Sequence, residues 1–129
     1  MFEIYDFDKS VNSFFYDDQM FPSIAALSDG NYVIAWKSYN QQYSDFDICA
    51  KIYDKNKYVI KHEFLVNTIF NAEHQDRPKA LGLNNGKFVI IYRTADCPSS
   101  WNRFHATMFN NDGTFLIQDT ALTNCDTTI

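Results

Sequence analysis

Apolar positions fall in short blocks, and nowhere does a helical period survive ten residues. Two blocks stand out, Tyr32-Val33-Ile34-Ala35-Trp36 and Phe88-Val89-Ile90-Ile91-Tyr92, each suited to a strand covered on both faces. Each follows a turn signal, Asp29-Gly30 or Asn85-Gly86, that predicts a two-residue hairpin with positive φ angles. Ahead of the turns lie strands over 23–27 and 79–83, each introduced by a proline, which a strand start tolerates. The apolar blocks predict strands over 32–38 and 88–94, followed by variable loops over 39–45 and 95–102. Third strands fall at 47–53 and 103–109, turns at 54–57 and 110–113, and outer strands at 58–67 and 114–123. The fold class is all-β: two four-stranded antiparallel units preceded by an extra strand.

The two units are repeats. Gln19-x-x-Pro22 returns as Gln75-x-x-Pro78, Gly30 as Gly86 and Val33 as Val89, each at the offset 86 − 30 = 56. Ala50-Lys51-Ile52-Tyr53-Asp54 matches Ala106-Thr107-Met108-Phe109-Asn110 at the same spacing. The closing Leu65-Val66-Asn67-Thr68 is echoed by Ala121-Leu122-Thr123-Asn124, and upstream by Ser10-Val11-Asn12-Ser13. The chain therefore divides into 1–13, the tail of a preceding repeat; 14–69, the first repeat; and 70–129, the second.

Composition sharpens this reading without changing it. Aromatic residues make up 17% of the 129 residues, which favours strands, because such side chains fit a pleated, half-buried surface. The formal charge of −5 and the lack of a basic cluster offer nothing to a phosphate backbone, so nucleic acid is not an expected partner. No apolar run has the length of a membrane-spanning helix. Met1-Phe2-Glu3-Ile4-Tyr5-Asp6 has neither the basic start nor the apolar stretch of a signal peptide, as expected for a leaderless product, a mature chain or an excised fragment.

Candidate chemistry is sparse. Cys49, Cys97 and Cys125 form no zinc pattern; Cys49 reads as a buried strand thiol, and a bridge between Cys97 and Cys125 stays open. His62, His74 and His105 occupy unrelated repeat positions without a Ser or Cys nucleophile signature, so they read as solvated or hydrogen-bonded side chains. The neighbours Glu73 and His74 diverge on an extended chain. Asp6 with Asp8, and Asp45 with Asp47, share strand faces and suit calcium, but read more simply as solvated edges. No catalytic set, metal site or cofactor is expected, and the chain reads as non-enzymatic. Gln19 and Gln75 recur beside the prolines as structural braces, with sugar contact as a second reading. Trp101 stands in a variable loop without a repeat counterpart, placed to stack on a sugar ring or a partner.

Taken together, Gln-x-x-Pro, Leu-x-x-Gly-x-aromatic-Val-Ile-x-aromatic, Ala-x-x-aromatic-Asp/Asn and the closing Val-Asn-Thr resemble a tandem repeat of large secreted or surface proteins in bacteria and ciliates. Those repeats look like β-propeller blades, related loosely to integrin-type and tachylectin-like propellers. The resemblance implies propeller-like blades, an extracellular or cell-surface location and no common enzymatic activity. The acidic DxDxDG calcium loop of integrin-type blades is absent, and Lys57 stands where the second repeat has Gly113.

Two blades leave faces bare that neighbours should cover, since propellers close with about four to eight blades. The leading expectation is a structural repeat protein that assembles between copies into a ring or a head-to-tail fibre. Val33, Ile34, Trp36, Val89, Ile90 and Tyr92 are the expected contact core. The segment 2–13, with Phe2, Ile4 and Val11, is the expected donor strand to an edge outside its own two-blade unit. The alternative is a carbohydrate-binding propeller module that uses Trp101 and Tyr43, with Gln19 and Gln75.

Overall fold

The computed structural model describes residues 10–12, 19–39, 46–68, 75–95 and 103–124. Within them, β1 (Gln19–Ala26), β2 (Tyr32–Tyr39), β3 (Phe46–Tyr53) and β4 (Val59–Leu65) form one antiparallel meander. A second meander follows, of β5 (Gln75–Gly82), β6 (Phe88–Thr94), β7 (Arg103–Phe109) and β8 (Phe115–Ala121). The protein is all-β, with two four-stranded antiparallel sheets that do not close on one another; one short 3₁₀ turn lies at Asn84–Gly86.

The offset of 56 carries from sequence into register. Val33 pairs with Ala25 and Ile52, and Val89 pairs with Leu81 and Met108. The closing motif has a mechanical reason. Val66 N–H donates to the Ile48 carbonyl at 2.8 Å and Asn67 Oδ1 accepts from Ile48 N–H at 2.7 Å. In the second sheet, Leu122 N–H donates to Phe104 O at 2.7 Å and Thr123 Oγ1 accepts from Phe104 N–H at 3.0 Å. A short polar side chain thus continues the ladder one pair past the end of the outer strand.

Two local expectations need correction. The first strand of each sheet starts at Gln19 or Gln75, not after the proline. A bulge after Met20 or Asp76, with Phe21 at φ 54° and Arg77 at φ 49°, takes Pro22 and Pro78 out of the ladder, so they sit inside the strand. The Asp29-Gly30 turn also differs from a two-residue hairpin. Leu27 N–H donates to Asn31 O across three turn residues, and Gly30 alone takes a positive φ, 89°. The second turn departs in the same way, with Leu83 N–H donating to Lys87 O at 2.7 Å across three residues, although both Asn85 (61°) and Gly86 (74°) are left-handed, as expected.

The sheets pack face on face. Val33, Ala35, Ile48, Ala50 and Ile52 of the first sheet share one core with Phe88, Ile90, Tyr92 and Phe109 of the second; Leu27 and Val66 close its rim. Edge-to-face contact between Phe64 and Phe109, at 5.5 Å, and a hydrogen bond from Lys61 Nζ to Gly113 O at 2.7 Å tie β4 to the end of β7 and the turn that follows it. At the inner strands Ser23 Oγ accepts from Ala80 N–H at 3.0 Å, and Ser28 Oγ accepts from Gly86 N–H at 2.6 Å. Gly82 is obligatory here, because a Cβ on it would stand 2.5 Å from the Ala26 carbonyl oxygen.

Lys57 and Gly113 hold the same place in their turns, at φ 72° and 86°. A side chain in the left-handed region costs about 1 kcal/mol or more, and the extra unfolded-state freedom of glycine offsets only part of this. Lys57→Gly should therefore raise unfolding free energy by about 0.5 kcal/mol. Gly113→Ala should lower it by about 1–3 kcal/mol, since overpacking adds to the unfavourable φ; the new Cβ would lie 2.8 Å from Ile52 Cδ1. Urea titration of both variants checks the pair, and equal effects would show that the two turns are not equivalent.

Candidate functional site

Three polar clusters and two outer sheet faces remain once the core is assigned. The first cluster joins the sheets. Lys37 Nζ, from β2, donates to Asp76 Oδ1 at 3.0 Å, and Arg93 Nη2, from β6, donates to Asp76 Oδ2 at 2.6 Å. Lys37 and Arg93 occupy the same repeat position, so one carboxylate on β5 draws together equivalent cations from the two sheets. Burial alone would raise the Asp76 carboxyl, but hydrogen bonds and charge from Lys37 and Arg93 outweigh it and hold the group below its ordinary value. Lys37 also lies over the Phe46 ring at 3.8 Å.

The second cluster is sealed within the second sheet. Asp119 accepts a short hydrogen bond from Tyr92 Oη and lies 3.0 Å from His105 Nδ1, while its backbone N–H donates to Thr107 Oγ1 at 2.9 Å. A bulge in β8 and a left-handed backbone at Asp119 (φ 34°) turn this carboxylate inward. Burial, then the Asp119 charge, pushes the Tyr92 phenol well above its ordinary value. Tyr92, His105 and Asp119 are each at most 1% exposed, so a substrate atom has no route to this acid, imidazole and phenol. The cluster fastens β6, β7 and β8.

The third cluster lies on the outer face of the first sheet. Trp36 Nε1 donates to Gln19 Oε1 at 2.9 Å, so Gln19 braces the Trp36 side chain. Val11, Gln19, Met20, Pro22, Ile34 and Trp36 line an open, mostly apolar depression. Lys51 Nζ donates to the Val11 carbonyl at 3.2 Å, holding the 10–12 segment on this face of its own chain. The same contact recurs inside the core, where Thr107 Oγ1 donates to the Val66 carbonyl at 3.4 Å. Val11 thus stands toward the first sheet as Val66 stands toward the second.

The expected contact residues divide between two environments. Val33, Ile90 and Tyr92 are buried between the two sheets of one chain, whereas Ile34, Trp36 and Val89 belong to the outer faces. Gln75 is fully buried. Cys49 is a buried thiol whose pKa is raised above its ordinary value by burial and by Glu63 and Asp47. Asp47 is buried and accepts from Asn67 Nδ2 at 3.1 Å. Phe2, Ile4, Tyr43, Trp101, His74, Cys97 and Cys125 lie outside the described residues. Among the described residues no three His, Cys, Asp or Glu side chains converge on a metal position, and no helix is long and apolar enough to cross a membrane.

On the outer face of the second sheet sequence reasoning named Val89 and missed the residues around it. Leu81, Val89 and Ile117 fall in register with Met108, and Phe104 and Leu122 extend the patch at its rim. Leu81, Phe104, Ile117 and Leu122 are 57%, 43%, 50% and 54% exposed. Their counterparts 56 residues earlier are Ala25, Ile48, Lys61 and Val66, of which Ile48 and Val66 are fully buried. The signal was present in the offset: residues at covered positions in one repeat remain apolar in the other.

No protein-family model matches this chain, and neither does any curated protein.

Proposed function

We propose that the protein is a non-enzymatic structural module whose work is to associate with other copies of itself through blade-like sheets, as a head-to-tail fibre or a closed propeller outside the cell. One observation carries this reading. The outer face of β5–β8 carries the exposed apolar side chains Leu81, Phe104, Ile117 and Leu122, and it corresponds position by position to the face of β1–β4 that the second sheet covers. A contiguous exposed apolar face of this kind marks an interaction surface, and repeat architectures gain stability when each unit covers the next. The residues between the sheets already form one example of such a contact.

Multi-angle light scattering across a concentration series, followed by electron microscopy, tests the proposal. Mass should rise with concentration, and rings or filaments should appear in the images. A chain that stays monomeric at millimolar concentration overturns it.

A further inference from the structure

We infer that Asn85 is a site of spontaneous deamidation, gated by the contact between the two sheets, and that its isoaspartyl product loosens that contact. The inference is independent of the association of copies and concerns the corner where three turns meet.

Asn85-Gly86 is the only Asn-Gly pair in the chain. Glycine has no Cβ to obstruct its own nitrogen, so a cyclic imide closes more readily here than at any other Asn of the sequence. In that step a base takes the Gly86 N–H proton and the nitrogen attacks Asn85 Cγ. The N–Cγ bond forms, the Cγ–Nδ2 bond breaks, and Nδ2 takes up a proton and leaves as ammonia. Water then adds to one of the two ring carbonyls. Attack at Cγ restores the main chain with an aspartyl residue. Attack at the main-chain carbon leaves an isoaspartyl residue, whose backbone is one methylene longer. Water enters, ammonia leaves, and nothing is oxidised or reduced.

The folded chain holds this reaction back at three points. Asn85 is exposed, but its ψ of 31° sets the Gly86 nitrogen nearly opposite Cβ about the Cα–C bond. Gly86 is buried, and its N–H, which carries the proton to be lost, donates to Ser28 Oγ at 2.6 Å. A Cβ on Gly86 would stand 2.5 Å from Asp29 Oδ2 and 2.9 Å from Asn111 Cβ, so the peptide has no room to rotate in place. Ser28 and Asp29 lie in the turn between β1 and β2, Asn111 in the turn between β7 and β8, and Asn111 Nδ2 donates to Asp29 Oδ2 at 3.4 Å. Ring closure therefore waits until the first-sheet turn moves away, a local opening that costs less than global unfolding.

The product does not fit the closed corner. Leu83 N–H donates to Lys87 O at 2.7 Å across residues 84–86, and an extra methylene within that span displaces Gly86 from Ser28. The new carboxylate also arises one residue from the glycine that Asp29 overhangs, which sets like charge near like charge.

The test incubates the full-length protein at mildly alkaline pH and follows the Asn85 peptide by mass spectrometry, with circular dichroism to verify the fold of each variant. The guanidinium-unfolded chain should deamidate at least about tenfold faster than the folded protein, since no opening is needed there. Ser28→Ala should react roughly two- to tenfold faster than the unaltered protein, the worth of one hydrogen bond. Thr123→Ala is the control. It removes a hydrogen bond to Phe104 N–H at the opposite end of the second sheet, and its rate should match that of the unaltered protein. The isoaspartyl form, separated by ion exchange, should unfold at a lower urea concentration than the unaltered protein. An Asn85 that keeps its amide in the unfolded chain overturns the site. A Ser28→Ala protein that reacts no faster than Thr123→Ala overturns the gate, and an isoaspartyl form as resistant to urea as the unaltered protein overturns the loosening.

Discussion

Asp76→Ala is expected to destabilise the protein by about 3 kcal/mol or more, because removing one member of a buried ion pair strands the other. Lys37 and Asp76 each have side chains only 8% exposed, so the Lys37 ammonium would keep its burial and lose its carboxylate. Arg93, at 26%, has a path to solvent and contributes less to the loss. The double variant Asp76→Ala/Lys37→Met should recover most of the deficit, since replacing both charges by apolar groups of similar shape removes the stranded cation. The pH dependence has a definite sign. Asp76 titrates lower in the folded protein than in the unfolded chain, where an Asp carboxyl has a pKa of about 3.9. Its contribution is complete above that value and lost as pH falls through the folded value. Unfolding curves of the parent and Asp76→Ala should therefore stand apart near neutrality and converge below about pH 4. A constant gap down to strong acid would show that the ion pair is not the cause.

The second large effect is an asymmetry between repeats. Phe109 is fully buried, stacked on Phe88 at 4.7 Å with Phe115 at 5.2 Å and Phe64 against its edge. Phe109→Ala should cost about 3–5 kcal/mol, the transfer free energy of the ring plus the cavity left behind. Tyr53 is its equivalent in the first repeat and stacks on Tyr32 at 5.1 Å, as Phe109 stacks on Phe88. Yet Tyr53 lies on the outer face, half-buried. Tyr53→Ala should cost the monomer only about 1 kcal/mol, in line with partial burial of one aromatic side chain. Urea titration at low protein concentration measures both. At concentrations that favour assembly the Tyr53→Ala cost should rise while that of Phe109→Ala stays the same. Equal costs at low concentration would mean that the outer face of the first sheet is already covered in the monomer.

Strand identity was legible because each signal is local. Asn85-Gly86 sits at the only backbone geometry its two left-handed residues suit, and the apolar blocks at 32–36 and 88–92 lie at the second strand of each sheet, where both neighbours pair with it. The bulges at Phe21 and Arg77 were not legible, since Gln-x-x-Pro reads equally well as a strand start preceded by a loop. The Asp76 cluster was missed for a different reason. Lys37 and Arg93 occupy one repeat position, but nothing in the spacing says that a carboxylate 39 residues from Lys37 bridges them. Likewise Asp119 reads as an outer-strand surface residue until the β8 bulge turns it toward Tyr92 and His105.

What the amino-acid order determined by itself is the repeat: an offset that keeps turns, prolines and closing polar residues in step, and with them two like meanders. Alternation and turn chemistry act over a few residues and need no tertiary partner to be read. Which face of each meander is covered was decided only in three dimensions. Ile48 and Phe104, or Tyr53 and Phe109, are equivalent in sequence, yet one sheet must lie before the other, so their burial differs. Burial is a property of what stands opposite, and two stacked sheets necessarily have one shared face pair and two outer ones. At the outer positions of the second sheet Leu81, Phe104, Ile117 and Leu122 are exposed apolar side chains, where the first repeat has Ala25, Ile48, Lys61 and Val66.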